Sequence, residues 1–363
     1  MIPSYNKVHL KFKLNKIHYS YDDLMEVAYS FIKEGMPYER IIGDFLLDWL
    51  DEKDFIYVNT SGSTGKPKRI KIKKQAMVNS AIATGDFFNL KPSDKALYCL
   101  PSNYVAGKMM LIRAIILGLE LDLTQPTSQP IFDYEEYYDF AAMVPMQLEK
   151  IYNYCDNIKT IIVGGAAVSK TLKETVNSIK SSVYETYGMT ETITHIALKK
   201  INNFDFSQGS ATKESVESYF KTLPNISISE DERGCLVIKA PKLSNETIIT
   251  NDMVKLHSDT EFEWLGRYDN VINSGGVKLY PEQIETKLQN KIKQRFFVAS
   301  KKEEVLGEQL ILVVEGNTNK IDDNIFSDLE KFEKPKGIYN INQFIETNSG
   351  KIQRKETLKQ LKF

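Results

Sequence analysis

The chain predicts an α/β fold with a large N-terminal domain of mainly parallel strands flanked by helices, a β-rich subdomain, and a small α+β domain at the C-terminal end. Three observations carry this. Between residues 55 and 186, short apolar runs alternate with stretches of helical periodicity, the pattern of a parallel sheet covered on both faces. After Lys199 strand-length runs separated by turn residues take over, and beyond Asp269 the pattern resets to strand, helix, strand. A length of 363 residues with 42% hydrophobic and 26% charged composition accommodates two to three domains at roughly 150 residues each. The boundary is placed near Asp269, giving domains 1–268 and 269–363.

Each element has its own signal. Val8, Leu10, Phe12 and Leu14 alternate with polar residues as a half-buried strand does, and a helical stretch follows from about Tyr21 to Trp49. Phe55 to Val58 is an apolar strand that runs into a polar glycine loop and then a helix from about Lys74 to Phe88, a βα arrangement. Strands at Ala96–Leu100, Leu119–Leu123, Ala141–Val144, Ile158–Val163 and Val183–Thr186 alternate with helices at Gly107–Leu117, up to Tyr154, and at Ser169–Ile179. Glu230-Asp-Glu-Arg-Gly234 is a hairpin turn between Ile226-Ser-Ile-Ser and Cys235-Leu-Val-Ile-Lys, and Phe262-Glu-Trp-Leu is a further short strand. The last part predicts a helix from Pro281 to about Ile292, strands at Phe296–Ala299 and Leu310–Val314, a second helix, and a strand before a basic tail.

Composition excludes several function classes. A net charge of −1 from 47 basic and 48 acidic residues leaves no global field to hold a nucleic-acid backbone, so any bound anion is held by local geometry. Cys99, Cys155 and Cys235 stand far apart without a Cys-x-x-Cys pair, and His9, His18, His195 and His257 show no ligand spacing, which argues against zinc and against a disulfide framework. Met1 to Lys16 lacks the apolar core of a signal peptide, and the most apolar stretch, Met109 to Leu123, is broken by Arg113, Glu120 and Asp122. A cytoplasmic protein without a membrane span is expected.

The strongest motif is Thr60-Ser-Gly-Ser-Thr-Gly-Lys-Pro-Lys68, where hydroxyls and glycine amides alternate after a strand. Glycines let the backbone approach a polyphosphate closely, N–H groups and hydroxyls donate to its oxygens, and lysines add charge. It is not a Walker A loop, because only two residues separate Gly62 from Gly65 and a proline follows Lys66. Tyr187 in Tyr184-Glu-Thr-Tyr-Gly-Met-Thr-Glu191 offers a ring to stack on a base, and Glu191 a carboxylate for Mg²⁺ beside phosphates; the plain alternative is an exposed loop. Asp252 in Thr250-Asn-Asp serves equally as an acceptor for a ribose diol or as a turn-forming residue.

In combination these motifs resemble those of the adenylate-forming superfamily of acyl-CoA ligases, luciferase-like enzymes and carrier-adenylating enzymes, from Tyr57 to Lys355. Thr60 to Lys68 is similar to the family's phosphate loop, Thr186 to Glu191 to its aromatic-Gly-x-Thr-Glu motif, and Thr250-Asn-Asp252 to its Thr-Gly-Asp. Gly266-Arg-Tyr-Asp-Asn-Val-Ile-Asn-Ser-Gly-Gly276 is similar to its hinge and glycine strand, and Ser349-Gly-Lys-Ile-Gln-Arg354 to its C-terminal lysine motif.

The resemblance implies that a carboxylate attacks the α-phosphate of Mg·ATP, giving an acyl adenylate and pyrophosphate, and that the thiol of coenzyme A then displaces AMP. It implies Lys351, Thr190 and Glu191 as catalytic residues, with Glu191 also the metal ligand. It assigns the nucleotide to Thr60, Ser61, Gly62, Ser63, Thr64, Gly65 and Lys68, to Gly165 and Ala166, to Tyr187 and Gly188, and to Asp252 and Arg267. Asp269 would be the hinge of a mobile C-terminal domain that withdraws Lys351 and presents Ser274, Gly275 and Gly276 to the pantetheine arm.

For the acid, Leu100-Pro-Ser-Asn-Tyr-Val-Ala-Gly107, Ala142-Met-Val-Pro-Met-Gln-Leu148 and Ile162-Val-Gly-Gly-Ala-Ala167 resemble the o-succinylbenzoate-CoA ligases of menaquinone biosynthesis. Tyr104 stands where that group has His, Ala106 where it has Ser, and Asn251 where the superfamily has Gly. Tyr104, Gly107 and Arg113 are therefore the candidate substrate residues, with Arg113 or Lys108 able to supply a cation for a second carboxylate; the plain alternatives are a helix-face ion pair for Arg113 and, preferred for Lys108, a solvated lysine. With 59 residues before the phosphate loop, a shortened N-terminal subdomain is expected, which bears on the family's dimer contacts; a homodimer is one expectation. The competing readings are an enzyme for another acid, an adenylating module that loads a carrier protein, and a non-catalytic nucleotide-binding protein. Lys334-Pro-Lys336 is either a solvated charge run or a contact for the CoA 3′-phosphate.

Overall fold

In the computed structural model, which describes residues 3–59, 69–203, 219–304, 307–316, 321–347 and 351–361, thirteen strands form one continuous sheet. One half is antiparallel: Ser227–Glu230, Cys235–Lys239, Ile248–Leu256, Glu261–Arg267, Phe220–Thr222 and His195–Lys200 pair in that order. The other half runs parallel through Ser182–Gly188, Ile158–Val163, Tyr138–Met143, Lys95–Tyr98, Glu120–Leu123 and Lys13–Leu14, with Ile17–His18 turned back at the edge. The predicted α/β class and β-rich subdomain are thus two wings of a single sheet.

Ser182–Gly188 is the seam, parallel to one neighbour and antiparallel to the next. Lys95–Tyr98 lies between Glu120–Leu123 and Tyr138–Met143, so the chain leaves it in opposite directions, the switch point at which ligands of such sheets sit. The parallel strands are buried on both faces: Ile158, Ile161, Ile162 and Val163 are all in the core, as their unbroken apolar run requires. Helix Val105–Leu117, with Met109, Met110, Leu111 and Ile112 buried, packs on helix Lys74–Phe88 through the same core.

Several elements differ from the expectations. A strand that was not expected, Arg69–Lys73, pairs antiparallel with Phe55–Asn59 in a separate two-stranded sheet, so the element that follows the motif is a strand and helix Lys74–Phe88 comes only after it. Ile70 and Ile72 alternate with Arg69, Lys71 and Lys73 and carried the signal for it. The N-terminal strand shrinks to Lys13–Leu14; Phe12 and Leu14 are buried but Leu10 is 86% exposed. The stretch from Tyr21 is two helices, Tyr21–Glu34 and Pro37–Leu50, because Gly35 and the proline at the start of the second interrupt the ladder. Ile248–Leu256 is one long strand through the Thr250-Asn-Asp252 motif, not a turn.

Beyond Arg267 a second sheet of five strands, Ile272–Ser274, Val277–Leu279, Phe296–Glu303, Gly307–Glu315 and Gly337–Ile341, packs helix Pro281–Leu288 against one face. Alternate residues serve two cores: Val298, Leu312 and Val314 join Ile284 and Leu288, whereas Phe297, Ile311 and Val313 join Phe344. The expected second helix here is a single 3₁₀ turn, Asp323–Phe326. All three cysteines are buried and unpaired, and burial pushes Cys99 and Cys155 up to about 12. Among the described residues no helix is long and apolar enough to cross a membrane.

Candidate active site

The sheet brings three distant motifs together at Asp252. Register places Asp252 opposite Arg267 on the next strand, and the Arg267 Nη1 donates to Asp252 Oδ1 at 3.2 Å. Trp264 Nε1 donates to the same oxygen at 3.2 Å, and the Tyr187 hydroxyl, from the seam strand, donates to Oδ2 at 2.7 Å. Asp252 is buried, its backbone N–H donating to Thr250 Oγ1 at 3.0 Å. The Tyr187 ring stands edge-on to Phe262, centroids 5.1 Å apart, and tilted to Phe220 at 5.9 Å. Burial and the Asp252 carboxylate hold the Tyr187 hydroxyl well above its ordinary range, so it stays a donor. Tyr187 was expected to offer its ring to a base; in this structure its hydroxyl also orients the carboxylate expected at a ribose.

The candidate loop Thr190–Glu191 follows directly. Gly188 lies opposite His195, and a Cβ on it would meet Thr194 O at 2.3 Å, so only glycine lets the two strands approach this closely. A 3₁₀ turn, Thr190–Thr192, is closed by the Thr192 hydroxyl, which accepts from Met189 N at 2.9 Å and lies 2.9 and 2.8 Å from the carbonyls of Met189 and Thr194. Ile193 then has φ 69° and ψ −54°, a conformation that a β-branched residue adopts only under constraint. Glu191 is exposed at the outside of this turn. Among the described residues no group of three or more His, Cys, Asp or Glu side chains could hold a metal, whereas one carboxylate fits Mg²⁺, which takes most of its ligands from phosphates and water.

Gly165 (φ 84°) and the exposed Ala166 form the turn after Ile158–Val163. Glu185 anchors that turn from below, accepting from Val168 N at 3.2 Å. Burial opposes charge on Glu185, but Lys199 at 3.1 Å and Lys173 at 3.0 Å outweigh it and hold the carboxyl below its usual range.

Tyr104 is exposed at the start of helix Val105–Leu117, and Gly107 lies so near the preceding chain that a Cβ would meet Pro101 O at 2.4 Å. Arg113, expected at a substrate carboxylate, is 1% exposed and faces inward: Nε donates to Thr84 Oγ1 and Nη2 to Thr194 Oγ1, each at 3.3 Å. Lys108 lies 4.5 Å from the Phe45 ring, its pKa lowered by burial.

In the C-terminal part, Asp269 is exposed within the turn Tyr268–Asn270 and faces the amide of Asn251 at 3.5 Å. Ser274 pairs with Val277, and the exposed Gly275 (φ 57°) and Gly276 (φ 83°) make the tight turn between them, which gives the two glycines a backbone reason to be there. Lys351 is exposed, its N–H donating to Thr347 Oγ1 at 3.1 Å. No described contact joins it to the Asp252 cluster. Thr60, Ser61, Gly62, Ser63, Thr64, Gly65 and Lys68, with Ser349 and Gly350, lie outside the described residues. Trp264 and Glu185 were missed as site residues. Trp264 lies two positions from Phe262, on the same face of its strand, and that spacing was its only signal.

A family model described as "AMP-binding enzyme" matches residues 15–242. The chain is 26% identical over 337 residues to the 2-succinylbenzoate–CoA ligase of Lactococcus lactis subsp. lactis (strain IL1403), covering 85% of this chain and 72% of that one. It is 35% identical to a solved acyl-CoA synthetase (AMP-forming)/AMP-acid ligase II-like protein from Dyadobacter fermentans DSM 18053, with TM-score 0.60 over 93% of this chain and 98% of that one. It shares the fold, at 20% identity and TM-score 0.68 over 83% of this chain and 69% of the other, of the o-succinylbenzoate coenzyme A synthetase (MenE) from Bacillus subtilis, solved with ATP and magnesium ion.

Proposed function

The chain belongs to the AMP-binding enzyme family, and on that premise we propose that it is an ATP-dependent, AMP-forming acid:CoA ligase whose acid is o-succinylbenzoate. The observation that carries this reading is the convergence of Tyr187, Trp264 and Arg267 on Asp252, which builds an oriented, ionic acceptor on the antiparallel half of the sheet, bonded to the seam strand through Tyr187. The name of the Lactococcus lactis relative supports the choice of acid.

On this reading a carboxylate oxygen of the acid bonds to the α-phosphorus of ATP as the bond to pyrophosphate breaks. Asp252 and Arg267 hold the ribose, Gly165 and Ala166 line the base, and Thr190 donates to the α-phosphate. Glu191 would hold Mg²⁺, which would supply neutralisation of the polyphosphate charge. Two anions must meet, so a cation between them gains most in the transition state, and Lys351 takes that role. A thiol then attacks the acyl carbon, and AMP leaves with the electron pair of the broken bond. We assign residues 269–363 to a lid that turns about Asp269 between the two steps, and Ser274 to Gly276 to the pantetheine arm. A cytoplasmic setting suits such a small-molecule reaction.

The test is mass-spectrometric detection of acyl-CoA from Mg·ATP, CoA and a panel of o-succinylbenzoate, benzoates, fatty acids and amino acids. Formation of o-succinylbenzoyl-CoA supports the reading. A different acyl-CoA overturns the choice of acid, adenylate without thioester points to a carrier-protein acceptor, and no product from any acid overturns the activity.

A further inference from the structure

We propose that Arg113 is a positioning residue that clamps the turn carrying Thr190 and Glu191; the kinetic part of this inference rests on the proposed adenylation. The guanidinium is buried, and among the described residues it makes no ion pair. Its three directions are taken by neutral groups on three elements: Thr84 Oγ1 on helix Lys74–Phe88, Thr194 Oγ1 just past the turn, and the Met110 sulfur on its own helix, 3.7 Å from Nη1. A buried cation without a counter-charge is costly, and an apolar side chain of similar volume would fill the space without that cost. Burial accordingly pulls the group down to about 9. The fold keeps an expensive residue here, and what that residue supplies is a rigid planar fork able to hold two hydroxyls at once.

The strain at Ile193 shows what the fork is for. A backbone conformation of that kind persists only where its surroundings over-determine it. From the N-terminal side the Thr192 hydroxyl closes the 3₁₀ turn; from the C-terminal side Thr194 is held by Arg113. His195, next in the chain, lies with Nε2 3.5 Å from Thr84 Oγ1 and Nδ1 3.4 Å from Thr194 Oγ1. Burial, and then Arg113, keep it neutral, so it adds no second cation to the cluster. Arg113 thus joins helix Val105–Leu117, which follows the candidate acid-binding loop at Tyr104, to the turn that presents Glu191. Sliding of that helix would reach Thr190 and Glu191 through one side chain.

The experiment compares Arg113→Met, Thr194→Val and Arg113→Lys with Leu24→Ala, a core truncation in the separate helix Tyr21–Glu34. Hydrogen–deuterium exchange of amides 189–195 is measured on the full chain, alongside acid-dependent ATP–pyrophosphate exchange at varied Mg²⁺. Arg113→Met and Thr194→Val are expected to speed amide exchange in this segment tenfold or more and to raise the Mg²⁺ concentration giving half-maximal rate. Their effects are expected not to add in the double variant. A lysine cannot span both hydroxyls, so Arg113→Lys is expected not to restore protection. Should Arg113→Met fail to fold, Thr194→Val carries the same test with the cation left in place. Unchanged protection of 189–195 in the folded variants, or an equal loss in Leu24→Ala, would overturn the proposal. If the wild-type chain shows no pyrophosphate exchange with any acid, the proposed function fails, and amide exchange alone decides the role of Arg113.

Discussion

The hydroxyl of Tyr187 and Oδ2 of Asp252 lie 2.7 Å apart although 65 positions separate the residues in the chain. The contact exists because the sheet places the seam strand and Ile248–Leu256 around the same small cluster of aromatic rings. It also leaves a definite remainder. Each carboxylate oxygen accepts two hydrogen bonds; Trp264 and Arg267 occupy both on Oδ1, so the acceptor capacity left to a ligand is on Oδ2.

Asp252→Asn keeps the shape and removes the charge that orients Arg267 and draws a diol. ATP binding measured by calorimetry is expected to weaken about tenfold or more, about 1.4 kcal/mol. Tyr187→Phe keeps the ring and the charge and is expected to cost less. Equal affinity for ATP in wild type and Asp252→Asn would remove Asp252 from the nucleotide site.

Gly188→Ala puts a methyl group against the backbone of Thr194 and His195, at 2.3 and 2.6 Å. Backbone cannot yield as a side chain can, so the variant is expected to lose about 1–3 kcal/mol of stability, read from urea unfolding. Pyrophosphate exchange should fall further than the folded fraction does, because the displaced segment carries Thr190 and Glu191.

Lys351→Ala separates the two half-reactions. Loss of a transition-state charge contact is expected to slow adenylation roughly a hundred- to thousandfold while thioester formation from supplied acyl adenylate continues. Equal loss in both steps would contradict the proposed lid, in which the lysine acts in one arrangement only.

The C-terminal part carries a pH dependence of its own. Burial pushes the Glu285 carboxyl up to about 7, against the pull of Arg354, whose Nη1 lies 2.7 Å away. A folded-state value above the unfolded 4.5 means stability that is complete below 4.5 and declines as pH rises through about 7. Denaturant midpoints are expected to fall between pH 5 and pH 8 in wild type and to fall less in Glu285→Gln. A steeper decline in the variant would show that Arg354 outweighs burial.

Much of this was legible from local pattern. Ile158–Val163 and Cys235–Lys239 match their expected bounds, because an unbroken apolar run and a turn-flanked alternation each have one structural solution. Arg69–Lys73 was overlooked because its exposed face carries Arg69, Lys71 and Lys73, and lysine-rich alternation weighs little beside a glycine loop. The candidate site divides the same way. Asp252, Arg267 and Tyr187 were readable as residues of the right chemistry at motif positions. The inward turn of Arg113 was not, since a helix surface gives no sign of which cation will find a hydroxyl on a neighbouring helix 29 positions away and a second one 81 positions away.

The buried thiols have a practical meaning for testing the proposed lid. A sulfur in the core, with Cys99 and Cys155 pushed up to about 12, presents almost no thiolate at neutral pH and no path to a reagent. Maleimide dyes should therefore pass over Cys99, Cys155 and Cys235 in the native fold. A cysteine introduced at an exposed position such as Gln360 would then take the label alone, and a fluorophore there could report motion of the C-terminal part on the otherwise unaltered chain.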